Sequence, residues 1–261
     1  MRIAYSDNHS HNHIDPYPQP TDERYYACVR PEIVPPRRGV QVIIPMKNLT
    51  HAKSRLAEQL SLAERRTLAI YMYRRVLQVV CAALPPSDAA LEEIASATIQ
   101  QVWVVSEDPL ILDMARAAGA QPIPDTTSEL NAALQLGLAA AQQEAAQAVL
   151  VIAADIPLIS LDDVRGLAAV LRPGSDRPFT AEPRAVIAPD RAQSGTNAFG
   201  FTLPPGLPFH FGNDSFALHL QAAHERGIPI QTCPSATLAL DVDTPADLTY
   251  AWHPDMPVKG A

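Results

Sequence analysis

The run Val149-Leu-Val-Ile-Ala-Ala154 constrains this chain more than any other feature. It is apolar at every position and lacks the alternation of a strand with one wet face, so it reads as a strand covered on both sides. Such strands belong to parallel sheets, which need helices to cover them. Val40-Gln-Val-Ile-Ile-Pro45 and Gln101-Val-Trp-Val-Val105 are similar short β-rich runs. Between them, Ser61-Leu-Ala-Glu64 has the capping-box pattern that opens a helix, and Leu68, Met72, Val76, Val79 and Ala83 follow as one apolar stripe. Asp108-Pro109 offers a second helix its N-cap and first residue, and Gly119 closes it. Further along, the pattern predicts a strand at 121–123, a helix over 128–147, and another helix capped by Ser160. Strands at 184–188 and 197–202 follow, then a helix from Asn213 or Asp214 to Gly227. Strands at 228–232 and 238–242 and a last helix from Thr244 close the chain. This alternation predicts an α/β fold, a mostly parallel mixed sheet with helices on both faces. Ligands of such sheets bind beyond the carboxyl ends of the strands, and the chemically informative residues collect there.

With 261 residues and 47% hydrophobic content, the chain can fill one core, and a single domain is expected over residues 39–255. Residues 1–38 carry His9-Ser-His-Asn-His13 and clustered prolines without an apolar period, which predicts a flexible extension. His-rich tracts sometimes bind metal, but a solvated tail is the simpler reading of these three. The net charge of −8 argues against nucleic acid or a membrane surface as partner, while a local group of cations can still hold a small anion. No apolar run is long enough to cross a bilayer, and no signal-peptide pattern is present. Cys28, Cys81 and Cys233 are scattered without zinc-ligand spacing, in keeping with a cytoplasmic location.

Five clusters carry chemistry. After the first strand come Lys47, Lys53, Ser54 and Arg55, cations suited to a triphosphate, although a solvated basic loop would look the same. The loop lacks the glycines of a Walker or dinucleotide fingerprint. Asp155 directly follows the strongest strand, where a carboxylate either holds Mg²⁺ or caps the turn before Pro157. Asp241 and Asp243 alternate on the predicted strand 238–242 and its end, so both project to one side and one of them could reach the same metal. Thr244, Pro245 and Asp247 read as helix-capping residues. Asp190 to Asn197, with Ser194, Gly195 and Thr196, makes an anion-receptive loop. Phe211-Gly-Asn-Asp-Ser-Phe216 sits at a helix start, where free amides suit a phosphate or carboxylate, or simply cap the helix. His219 and His224 on that helix read as surface or packing residues.

In this order the clusters resemble the guanylyltransferases of deazaflavin coenzyme (coenzyme F-420) biosynthesis, which act on 2-phospho-L-lactate or phosphoenolpyruvate. The match runs from about residue 40 to 250 and rests on Pro45, Lys47 and Ala52-Lys-Ser-Arg-Leu56, on Leu130-Asn-Ala-Ala-Leu134, and on Gly195-Thr-Asn197. Phe211 to Phe216 and Leu240-Asp-Val-Asp-Thr-Pro245 complete it, while Glu129 stands where the family often has glycine. The resemblance implies a Rossmann-like nucleotidyltransferase fold of glycosyltransferase-A-like type. It implies GTP held by Lys47, Lys53, Ser54 and Arg55, with Leu130 and Asn131 near the nucleoside. Thr196, Asn197, Gly212 and Ser215 would meet the phosphorylated acid, and Mg²⁺ would sit on Asp155 with Asp241 or Asp243. A homodimer would be in keeping with it. Two other readings stay open on sequence: a transferase of the same fold with a pterin or sugar-phosphate acceptor, and a non-catalytic nucleotide-binding regulator.

Overall fold

The computed structural model describes residues 39–86, 89, 99–127, 129–172, 183–204 and 206–250. The expected extension at 1–38 lies outside them. Seven strands form one sheet: β1 (Val40–Pro45), β2 (Gln101–Ser106), β3 (Gln121–Pro124), β4 (Ala148–Ile152), β5 (Ala185–Pro189), β6 (Thr196–Thr202) and β7 (Ile230–Thr232). Their spatial order is β3-β2-β1-β4-β6-β5-β7. The pairs β1–β2, β1–β4, β2–β3 and β5–β7 are parallel. Strand β6 runs antiparallel to both of its neighbours, β4 and β5.

The described helices are α1 (Leu62–Cys81), α2 (Pro109–Ala117), α3 (Leu130–Gln143), α4 (Leu161–Leu171), α5 (Ser215–Glu225) and α6 (Pro245–Tyr250). They cover both faces because the central strands are apolar at consecutive positions. Val40, Val42 and Ile44 of β1 join Tyr73 and Val76 of α1, Ile111 of α2 and Leu167 of α4 in one buried cluster. Ile43 points the other way, to Ala133 and Leu134 of α3, Phe199 of β6 and Ala223 of α5. Period-2 side-chain direction turns an unbroken apolar run into two cores.

The local signals fix the helix ends. The Ser61 side chain accepts from the Glu64 amide while Glu64 reaches back to the Ser61 amide, and Ser160 with Asp163 repeats the arrangement. Asp108 caps α2 ahead of Pro109. Helix α3 is shorter than the predicted 128–147, because Ala145 takes a positive φ of 56° and ends it.

One prediction is corrected. Residues 238–242 are not a strand. Leu238, Leu240 and Val242 are alternately buried, as a strand would be, but the segment is a turn followed by a loop, pinned at separate points. The Ala239 carbonyl accepts from the Arg191 amide at 2.9 Å, the Leu238 carbonyl accepts from the Asn197 side chain at 2.9 Å, and the Val242 amide donates to the Asp155 carbonyl at 3.3 Å. Hydroxyls of Ser235 and Thr237 also donate to Asp163, each within 2.8 Å. Among the described residues, no helix is long and apolar enough to cross a membrane.

Candidate active site

Beyond the ends of β1 and β4 lies a cleft of about 660 Å³. Its first wall is the segment after β1, where Asn48 accepts the Thr50 amide at 2.8 Å and two single 3-10 turns, Leu49–His51 and Ser54–Leu56, follow. Leu49 and Leu56 are buried, which anchors these turns to the core. Lys53, between the turns, takes a left-handed conformation with φ 51° and ψ 46°. That conformation is uncommon for a residue with a side chain and is maintained by what the side chain touches. Its ammonium donates to Asp155 at 2.6 Å and to Asp243 at 2.8 Å, with only 9% of the side chain exposed. Burial alone would lower the Lys53 pKa, but the two carboxylates reverse this and hold it above its ordinary value. Arg55 is exposed and reaches Asp243 at 3.5 Å, a loose contact. Lys47 is exposed at the cleft edge.

Asp155, Asp241 and Asp243 all line the cleft. The carboxylates share one place although the strand expected to align Asp241 and Asp243 is absent; the pinned loop brings them in. Burial and then the nearby Asp155 push the Asp241 pKa up to about 6. Asp243 is pulled below the usual carboxylate range, because Lys53 outweighs the effect of burial. Lys53 therefore balances Asp155 and Asp243, and Asp241 marks negative charge left unmatched. As the side chains stand, among the described residues no group of three or more His, Cys, Asp or Glu is arranged to hold a metal ion.

The opposite wall comes from the β5–β6 turn and the start of α5. Asp190 accepts the Ser194 amide at 2.9 Å, and a Cβ on Gly195 would lie 2.8 Å from the Asp190 carboxylate, so only glycine fits there without a shift. Thr196 and Asn197 open β6 and line the cleft. The Asn197 amide is directed to the Leu238 carbonyl, which ties this wall to the acidic loop. Gly212, at φ +131°, lets the chain turn into α5 ahead of Ser215, whose hydroxyl donates to Thr196 at 3.1 Å. Ser54 and Leu130 also line the cleft. Asn131, expected near the nucleoside, has its side chain paired with the Phe211 backbone: Oδ1 accepts the amide at 2.9 Å and Nδ2 donates to the carbonyl at 3.0 Å. A second hollow of about 280 Å³ adjoins the cleft at Pro45–Asn48 and Leu130, with Glu107, Asp125 and Glu129 on its wall.

Two contacts were not legible beforehand: the His219–Thr196 bond and the Asp247–Arg191 pair. His219, one of two residues read as surface or packing, is the packing case: it is fully buried, and its hydrogen bond to Thr196 was signalled only by its position one helical turn after Ser215. Asp247 accepts three hydrogen bonds from the Asp243 and Thr244 backbone and the Thr244 hydroxyl, as capping requires, and it also pairs with Arg191 at 3.0 Å.

Known proteins resemble this chain along most of its length. The family model described as guanylyl transferase CofC like matches residues 40–252. A phosphoenolpyruvate guanylyltransferase from Rubrobacter xylanophilus is 40% identical over 210 residues, covering 80% of this chain and 92% of its own. A 3-phospho-D-glycerate guanylyltransferase from Colwellia psychrerythraea is 30% identical over 79% of this chain and 88% of its own. Among solved structures, a nucleotidyl transferase from Methanothermobacter superposes with a TM-score of 0.54 at 13% identity, over 81% of this chain and 95% of that one, which shows a shared fold.

Proposed function

The chain belongs to the CofC-like guanylyl transferase family, and from that premise we propose that it moves GMP from GTP onto the phosphate of a small phosphorylated carboxylic acid. The step belongs to deazaflavin coenzyme biosynthesis. Phosphoenolpyruvate is the first acceptor to test, in view of the 40% identical relative of that name. The observation that carries this reading is that one cleft is lined by cations after β1, carboxylates after β4 and in the 241–243 loop, and small polar groups from the β5–β6 turn and the start of α5.

In the reaction an acceptor phosphate oxygen bonds to the α-phosphorus of GTP, and the bond from that phosphorus to the α–β bridging oxygen breaks, releasing pyrophosphate. A phosphate monoester is already anionic near neutral pH, so the site needs no general base. The barrier lies in holding two polyanions in line. Lys47 and Arg55, both exposed at the cleft, offset charge on the triphosphate, and Lys53 lines the same cleft with its ammonium between Asp155 and Asp243. Asp155, with Asp241 and Asp243, would hold Mg²⁺. Three carboxylates, one carrying unmatched negative charge, are a fitting donor set for a hard divalent cation. Bound there, the ion would neutralise charge developing on the leaving pyrophosphate. The adjoining hollow suits guanine, whose N1–H and 2-amino groups are donors for carboxylates such as Glu107 and Glu129, whereas adenine presents an acceptor at N1.

The test is pyrophosphate release by the purified protein with GTP and phosphoenolpyruvate, 2-phospho-L-lactate or 3-phosphoglycerate in parallel. One acid should support turnover with GTP and not with CTP. Asp155→Asn should lower kcat by at least about a hundredfold with an unchanged fold. Turnover near the parent rate in that variant would remove Asp155 from the metal set.

A further inference from the structure

His219 lies behind the acceptor wall, outside the residues that line the cleft, and is fully buried. Its ring stacks on Phe199 with centroids 4.0 Å apart and meets Phe211 edge-on at 5.0 Å. The mechanism above gives it no part, yet its hydrogen bonds lead into the site.

Those bonds leave one arrangement of protons. The backbone N–H of His210 donates to His219 Nε2 at 3.0 Å. Nε2 must then present its lone pair, and the single proton of the neutral ring sits on Nδ1. Burial, followed by the neighbouring His210, pulls the ring's pKa down to about 4, so it stays neutral in ordinary buffers. Nδ1 lies 3.2 Å from Thr196 Oγ1 and can only donate to it. Ser215 Oγ donates to the same Thr196 oxygen at 3.1 Å. With both acceptor positions of Thr196 Oγ1 occupied, its own proton is turned away from His219 and Ser215, and the residue lines the cleft.

Resting on the proposed function, we infer that His219 is a positioning residue: through Thr196 it fixes a hydroxyl as a one-way donor to an anionic oxygen of the phosphorylated acid. A freely rotating threonine hydroxyl could present lone pairs to that anion for part of the time. Here the buried ring and Ser215 remove that option before the substrate arrives, which is preorganisation of an anion site.

Two near-isosteric variants separate this role from packing. In His219→Asn the amide nitrogen falls near the Nδ1 position and keeps a donor for Thr196 while losing the acceptor for the His210 amide. In His219→Gln the amide reaches toward the Nε2 position, keeps a partner for His210 and loses the donor for Thr196. His219→Gln should raise the acceptor KM roughly ten- to a hundredfold with the GTP KM unchanged, whereas His219→Asn stays close to the parent. Thr196→Val should raise the acceptor KM similarly, and adding His219→Gln to it should cost little more. Equal effects of the Asn and Gln variants, or an additive double variant, would overturn the inference. Independently of any variant folding, long-range proton–nitrogen spectra of the parent should show His219 as the Nδ1–H tautomer, and an Nε2–H signature would also overturn it. If the parent releases pyrophosphate with none of the acids, the proposed function itself falls.

Discussion

Lys53 carries an unusual combination of properties for a lysine: a left-handed backbone, a nearly buried side chain and two carboxylate partners. Each depends on the others, because the backbone turn is what aims the ammonium between Asp155 and Asp243. Removing the cation leaves those carboxylates facing each other. Their side chains keep 33% and 37% exposure, so water relieves part of the repulsion. Lys53→Met should therefore destabilise the protein by about 1–3 kcal/mol, less than for a fully buried pair, and abolish turnover. Urea unfolding alongside the pyrophosphate assay checks both. Unchanged stability would mean that Asp155 and Asp243 do not depend on the ammonium. Arg55 should behave differently: exposed and 3.5 Å from Asp243, it contributes little to folding. The sequence offered Lys53 as one of several equivalent cations. Its separate status was hidden because the chain turn and the distant Asp243 that single it out are tertiary facts.

At the level of elements, the strands and helices that flank the site were legible where local chemistry decides them. Strands β1, β2 and β4 are apolar on consecutive residues because both faces are covered, and the caps at Ser61, Asp108 and Ser160 form as their side chains require. The reversed direction of β6 was not legible, since Thr196–Thr202 has the same composition whichever way its neighbours run. Nor was the loop at 238–242, because alternate burial looks identical in a strand and in a turn and loop pinned by scattered hydrogen bonds. Asn131 teaches the same lesson: the motif marked it, but its amide holds the Phe211 backbone. Asn131→Ala leaves that amide and carbonyl without their partner and loosens the turn into α5. A loss of about 1–2 kcal/mol is expected, with a larger rise in the acceptor KM than in the GTP KM. A selective effect on GTP would instead put Asn131 at the nucleotide.

For the molecule as a whole, the buried His219 and the half-buried Asp241 set opposing slopes in acid. His219 falls from an ordinary 6.5 to about 4 on folding, so the stability it permits is complete above pH 6.5 and is lost as pH drops toward 4. Asp241 rises from 3.8 to about 6, so its ionisation burdens the native state above pH 6, and that burden is relieved as pH falls toward 3.8. The two oppose each other in the parent and separate in variants. His219→Asn should flatten the decline of Tm between pH 6.5 and 4 relative to the parent, while Asp241→Asn should steepen it. Thermal melts across that interval, without added nucleotide or metal, check both directions.

The reversal of β6 has a topological consequence. A strand that runs against its neighbours begins where they finish, so Thr196 and Asn197 at its amino end stand level with Asp155 beyond the carboxyl end of β4. On the proposed function, recognition of the acceptor is carried on a hairpin separate from the loop after β1. On that reading, exchanging the short turn between β5 and β6 is a route by which one scaffold acquires a taste for different phosphorylated acids while its grip on the nucleotide stays the same.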